Sequence, residues 1–349
     1  MFTRIFVPLD GSARAERALP VAARLARTSN GTVILASVVS PAAVYAPALA
    51  VPTDSQSIME GESEGAKDYL ARITIGDALT GIKTETVVGI SRLAAVELIE
   101  LAQAAHADVI VMCSHGRTGL LHWALGSVAQ QSVRNSPIPV LVLKADGPIP
   151  AGIPTQPLRV LVALDGSSLA ESALEPAAQL VAAFSEPGQG QLRLLQVIRY
   201  PILPYVAFAP VDASMQREID DERTSLKERA IAYLHGVAQR FTQAPLADLR
   251  LQVSTAVVYD EDVAGAIAAM ADGGQGLGEA VDVVAMATHG RTGLQRLAIG
   301  SITERALQAT KRPLLIVRPA AAAAASEAAV ERAGATAGMS QSFPAVPLF

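Results

Sequence analysis

The sequence predicts an α/β protein built from two similar units, each a doubly wound, five-stranded parallel sheet in the strand order 3-2-1-4-5. Three observations lead there. The chain repeats itself, its short apolar runs alternate with helical patterns, and half of its 349 residues are apolar while only 17% are charged. Aromatic residues make up just 4%, so the apolar mass is Ala, Val, Leu and Ile. That mixture suits helices packed on both faces of a buried parallel sheet.

The repeat is read from motifs at fixed offsets. Ile5-Phe6-Val7-Pro8-Leu9-Asp10-Gly11-Ser12 returns as Val160-Leu161-Val162-Ala163-Leu164-Asp165-Gly166-Ser167, 155 positions later. His115-Gly116-Arg117-Thr118-Gly119-Leu120 returns unchanged from His289, and Gly126-Ser127 returns as Gly300-Ser301, both at an offset of 174. The second unit therefore carries 19 extra residues, expected near Pro187–Gly190 and in the glycine-rich stretch Gly273–Gly278. The expected organisation is a unit at 1–145, a Pro/Gly-rich linker at 146–157, a unit at 158–319 and an Ala-rich tail at 320–349.

Each element follows from its pattern. Ile5–Leu9 is a short apolar run and reads as a buried strand. Ser12 then caps a helix whose Ala15, Ala18, Leu19, Ala22, Leu25 and Ala26 share one face. Further strands are expected at Val33–Val38, Lys83–Val88, Asp108–Met112 and Val140–Leu143, with helices at Ile58–Leu79, Ser91–His106 and Val128–Asn135. The second unit has the same order, with a longer and more charged second helix around Gln216–Gln239.

Composition also excludes function classes. The net charge is −5 with no cluster of Lys or Arg, so no basic nucleic-acid footprint exists. A single cysteine, Cys113, leaves no internal disulfide and no cysteine-based zinc site, and fits a reducing cytoplasm. The apolar run in Met1–Asp10 is too short for an export signal. Residues 28–53 carry no charge, but Pro41, Pro47 and Pro52 interrupt them, which reads as a strand and an apolar loop rather than a membrane span.

In open α/β sheets ligands bind beyond the carboxyl ends of the strands, where the winding reverses. In the order 3-2-1-4-5 that place lies between strands one and four, and the recurring motifs fall there. Gly126-Ser127 and Gly300-Ser301 open helices, where free amides and the helix dipole favour an anion. Asp10 and Asp165 end buried strands and need donors, from a ribose or adenine group or from local amides. His115 and His289 have no accompanying base, nucleophile or metal ligand and read as loop residues; Arg117 and Arg291 face either a phosphate or solvent. Neither Gly-x4-Gly-Lys-Ser/Thr nor Gly-x-Gly-x-x-Gly occurs.

At these residues nearly the whole chain resembles the universal stress protein family, whose ATP-binding members show Gly-x2-Gly-x9-Gly-Ser/Thr. Here Cys113-Ser114-His115-Gly116 stands nine residues before Gly126-Ser127, and Ala287-Thr288-His289-Gly290 nine before Gly300-Ser301. Cys113 and Ala287 replace the first glycine. The resemblance implies a fold like that of the adenine nucleotide alpha hydrolases, with domains pairing through their last strands as an internal pseudo-dimer. It implies cofactor contacts from Pro8 and Leu9, adenosine contacts from Asp10 and Asp165, and adenine bound by the backbone of Val38 and Val197. Met112, Ser114, Gly116, Gly126, Ser127 and Val128 would hold the rest of one nucleotide. Met286, Gly290, Gly300, Ser301 and Ile302 would hold the rest of the other.

The implied ligand is ATP, or AMP or ADP, with Mg2+. The expected function is that of a nucleotide-binding regulatory or stress-response protein without rapid catalysis; a slow ATPase and a nucleotide-free dimerisation scaffold are the alternatives. A homodimer of the whole chain stays open. The apolar, Pro-rich segments 41–52 and 201–210 read as a lid or a contact between chains. Gly89 in the first unit, against Tyr259 in the corresponding stretch of the second, leads us to expect tighter binding in the first.

Overall fold

The computed structural model describes residues 1–40, 55–114, 125–150, 157–199, 213–274, 279–289 and 300–319. The first unit runs β1 (Arg4–Pro8), α1 (Ala13–Glu16), α2 (Leu19–Ser29), β2 (Thr32–Val39), α3 (Ser55–Thr74), β3 (Lys83–Ile90), α4 (Ala94–Ala104), β4 (Val109–Cys113), α5 (Ser127–Asn135) and β5 (Val140–Leu143). The second runs β6 (Arg159–Leu164), α6 (Ser168–Glu171), α7 (Leu174–Phe184), β7 (Gln191–Ile198), α8 (Ala213–Gln239), β8 (Gln252–Tyr259), α9 (Val263–Ala271), β9 (Val283–Ala287), α10 (Ser301–Ala309) and β10 (Leu314–Val317).

Both units adopt the expected order, and they join through their last strands as the resemblance implied. The ten strands form one sheet, β3-β2-β1-β4-β5-β10-β9-β6-β7-β8, parallel within each unit and antiparallel at the seam between β5 and β10. Side chains alternate across it: Ile5, Val7 and Leu9 join the core under α1, α2 and α3, whereas Phe6 joins the core under α4 and α5. Helices thus cover both faces, which explains why the central strands β4, β5, β9 and β10 are wholly apolar and buried.

The seam has local two-fold symmetry. Leu141 pairs with Leu315, and Val140 and Val142 pair with Ile316 and Leu314. At the repeat offset of 174, Leu141 and Leu315 are equivalent positions, so the axis passes between them. Gln130 donates to Glu304 across the same axis at 3.4 Å, again from equivalent positions. On the opposite face, Arg24 donates to the Phe184 carbonyl at 2.7 Å and stacks over its ring at 4.9 Å.

The residue after each seam strand reaches into the other unit. Lys144 donates to the Leu307 carbonyl in the last turn of α10, and Arg318 donates to the Asn135 carbonyl closing α5. Each cation meets the negative end of a helix dipole. Burial pushes the Lys144 amine down to about 8. A folded pKa below the unfolded one means stability present above about pH 10.5 and lost as pH falls through 8. Chain stability is therefore expected to rise by about 1 kcal/mol between pH 8 and 9, and Lys144→Met to flatten that rise in urea titrations. Above pH 9 the buried Cys113 thiol, pushed up to about 12, opposes it by keeping its proton in the folded chain.

Four local expectations change. The first helix is two helices, because Pro20 and Pro176 lack an N–H and clash with the carbonyl four residues earlier. The helix expected over Ile58–Leu79 ends at Thr74, and a separate 3-10 turn follows at Asp77–Leu79 after Gly76.

The largest insertion of the second unit lies elsewhere than expected. Thr32 pairs with Lys83, 51 positions on, but Gln191 pairs with Gln252, 61 positions on. Ten of the extra residues thus lie in the β7–β8 connection with the longer second helix α8, and the other nine lie in the two connections that hold Pro187–Gly190 and Gly273–Gly278.

Finally, register places Gly89 beside Val38 but Val258 beside Val197, so Tyr259 is the counterpart of Ile90, not of Gly89.

Candidate functional site

Each unit has a cleft at the carboxyl end of its sheet, where β1 lies beside β4 and β6 beside β9. The helices that follow these strands leave toward opposite faces, which opens the sheet end between them. The clefts measure about 750 Å³ in the first unit and about 720 Å³ in the second. Both volumes suit a small organic ligand.

The turn after β1 is built by glycine and a short hydrogen-bonded chain. Gly11 and Gly166 sit at φ of 81° and 86°, a region open to glycine but strained for other residues. Asp10 Oδ1 accepts from the Ser12 amide at 3.1 Å and hydroxyl at 2.6 Å, and Ser12 Oγ caps α1 at the Ala15 amide. Asp165, Ser167 and Ala170 repeat the arrangement at 3.0, 2.6 and 3.2 Å. The local-amide role left open for both aspartates is present, and both carboxylates also line their clefts.

Across each cleft a helix begins without a side-chain cap. Gly126 and Gly300 are the N-caps of α5 and α10, and neither has a side chain with which to cap its helix. The Gly126 and Gly300 amides are held back on Ser114 and Thr288 carbonyls, both at 2.8 Å. Ser127, Val128, Ser301 and Ile302 line the clefts at the first turns of these helices, beside the positive end of the dipole. A Cβ on Gly300 would sit 3.0 Å from the Thr288 backbone oxygen, so this turn packs closely against the end of β9.

The first cleft gathers Pro8, Leu9, Asp10, Val38, Met112, Ser114, Gly126, Ser127 and Val128. The second gathers Asp165, Val197, Met286, Gly300, Ser301 and Ile302. Gly116, Gly290, His115, Arg117, Arg291 and the segments 41–52 and 201–210 lie outside the described residues. His289 borders the second cleft with its Nδ1 2.9 Å from the Thr288 hydroxyl, a local contact as expected for a loop histidine. Cys113 and Ala287 line the clefts where a glycine was expected.

Two features escape the sequence motifs. Tyr69 on α3 and Tyr233 on α8 line the two clefts, donating to Glu16 at 3.0 Å and Glu171 at 3.1 Å. Burial, together with the neighbouring carboxylate, raises both phenols above their ordinary range, so they remain protonated. The signal was present in the glutamates, which recur at the offset of 155, but the tyrosines recur at another spacing because of the longer α8 connection. The second feature is a polar position inside β2 and β7, occupied by Ser37 and Gln196, both buried and both lining the cleft.

The expected asymmetry loses its basis. Gly89 does not line the cleft; a Cβ there would meet Glu97 Cγ at 2.7 Å, so it is a close-packing position against α4. Tyr259 points away from the cleft and donates to the Arg223 carbonyl on α8. The charged lining differs more: Asp10 and Glu62 in the first cleft, Asp165, Arg199 and Arg229 in the second. Among the described residues, the second cleft is the more favourable for an anion.

Comparison with known proteins agrees with this architecture. The model of the universal stress protein family matches residues 1–144 and 158–318. A universal stress protein of Mycobacterium tuberculosis is 26% identical over 321 residues, spanning 90% of this chain and 96% of its own length. Another, from Methanocaldococcus jannaschii, is 30% identical over 146 residues, which is 41% of this chain and 83% of its own. A universal stress protein structure from Archaeoglobus fulgidus superposes with a TM-score of 0.60 at 18% identity, covering 91% of this chain and 99% of that one. At that identity the likeness is one of fold.

Proposed function

This chain belongs to the universal stress protein family, and we propose that it is a cytoplasmic, nucleotide-binding regulator of the stress response that takes ATP, or AMP or ADP, in both clefts without rapid catalysis. The observation that carries the reading is the duplicated pairing of a carboxylate with an uncapped helix start on opposite sides of one cleft. A carboxylate repels phosphate, so Asp10 and Asp165 belong to the nucleoside end. The amides of Ser127, Val128, Ser301 and Ile302 attract phosphate and belong to the other.

The state of three lining groups supports the reading without rapid chemistry. The Cys113 thiol and the Tyr69 and Tyr233 phenols keep their protons at neutral pH and are weak nucleophiles and bases there. Mg2+ would be held through phosphate oxygens and water, since among the described residues no group of three or more His, Cys, Asp or Glu converges on one point. No described helix is long and apolar enough to cross a membrane. Pairing of β5 with β10 satisfies both seam strands within one chain, so the reading needs no homodimer.

Mass spectrometry of the small molecule released when the purified chain is denatured is expected to find an adenine nucleotide. Calorimetric titration with ATP is expected to show two sites, and incubation with Mg2+ no multiple turnover on the minute scale. Turnover would favour the slow ATPase, and the absence of any binding the nucleotide-free scaffold.

A further inference from the structure

Gln196 is an internal strand residue that none of the motifs includes. It is 7% exposed, lines the second cleft, and among the described residues its Oε1 has no hydrogen-bond partner. A buried, unsatisfied carbonyl oxygen is costly, and a donor on a bound ligand would complete it. Its place is specific. Leu164 and Gln196 are paired across β6 and β7, so the amide lies beside the Asp165 turn and one residue before Val197.

Sheet order shows which part of a ligand arrives there. The anion-binding turn of α10 follows β9, Asp165 follows β6 in the middle, and Gln196 lies on β7 beyond it. Strands are about 4.8 Å apart, so Gln196 is roughly 10 Å from the phosphate end, about the span of a nucleoside. An amide offers one donor face and one acceptor face, the complement of a purine edge with an amino group next to a ring nitrogen. The first cleft has only Ser37 at the equivalent place, too short for that contact.

We propose that the Gln196 amide reads the base in the second cleft, selecting a purine that carries an exocyclic amino group, and that the two clefts therefore differ in base selectivity. This rests on the reading that nucleotides occupy the clefts. The decisive titration uses the full chain with Gly126→Val closing the first cleft, and compares ATP with purine riboside triphosphate, which lacks the amino group.

ATP is expected to bind about ten- to a hundredfold more tightly. Gln196→Leu is expected to bring that ratio to about one, with affinity for the riboside analogue unchanged. The ligand-free Tm of Gln196→Leu should hold or rise, because the unpaired amide is gone; a purely structural glutamine would lower it. Gln196→Ser, which copies the first cleft, should lose the preference likewise. A preserved ratio in both variants, or a lowered Tm with the ratio intact, overturns the proposal. If neither triphosphate binds the Gly126→Val chain, the nucleotide reading of the second cleft fails instead.

Discussion

Leu315→Asp is expected to remove about 4 kcal/mol or more of stability and to split the unfolding of this chain into separate transitions. Leu315 is fully buried at the two-fold centre of the seam, opposite the equally buried Leu141. A carboxylate there faces apolar neighbours and has no water to replace them. The same loss is expected from Leu141→Asp, because the symmetry makes the two positions equivalent. Leu315→Met, which keeps volume and polarity, should cost less than about 1.5 kcal/mol. Urea unfolding followed by circular dichroism reads both quantities. A single unchanged transition in Leu315→Asp would mean that the units do not stabilise each other through β5 and β10.

Gly300→Val is expected to lower nucleotide affinity in the second cleft by ten- to a hundredfold, about 1–3 kcal/mol. The new Cβ would sit 3.0 Å from the Thr288 oxygen, and Thr288 is fully buried and cannot withdraw. The start of α10 must then move, and its amides no longer converge on one point. Gly126→Val should do the same in the first cleft, where the Gly126 amide is tied to Ser114 as Gly300 is to Thr288. Calorimetric stoichiometry should fall from two to one in each single variant and to none in the pair. Two sites retained in the double variant would place the phosphates away from these helix starts.

Much of the fold was legible in the sequence because its signals are local or periodic. Apolar runs marked the strands, and the return of Asp-Gly-Ser and Gly-Ser at constant offsets marked the duplication and both strand-end turns. Chemistry at those turns was also legible: serine as a cap and glycine before a helix each act within a few residues.

Tertiary structure decided what depends on distance between elements. It set the register of the seam, with Leu141 opposite Leu315, where the resemblance implied only that the last strands pair. It exchanged Lys144 and Arg318 between the units, and turned Tyr259 onto α8 rather than toward a ligand. It also placed Tyr69, Tyr233 and Gln196 in the clefts. A buried glutamine in an apolar strand reads as an imperfection in a one-dimensional pattern. Only the strand register, which sets it beside Asp165, gives its amide a ligand to meet.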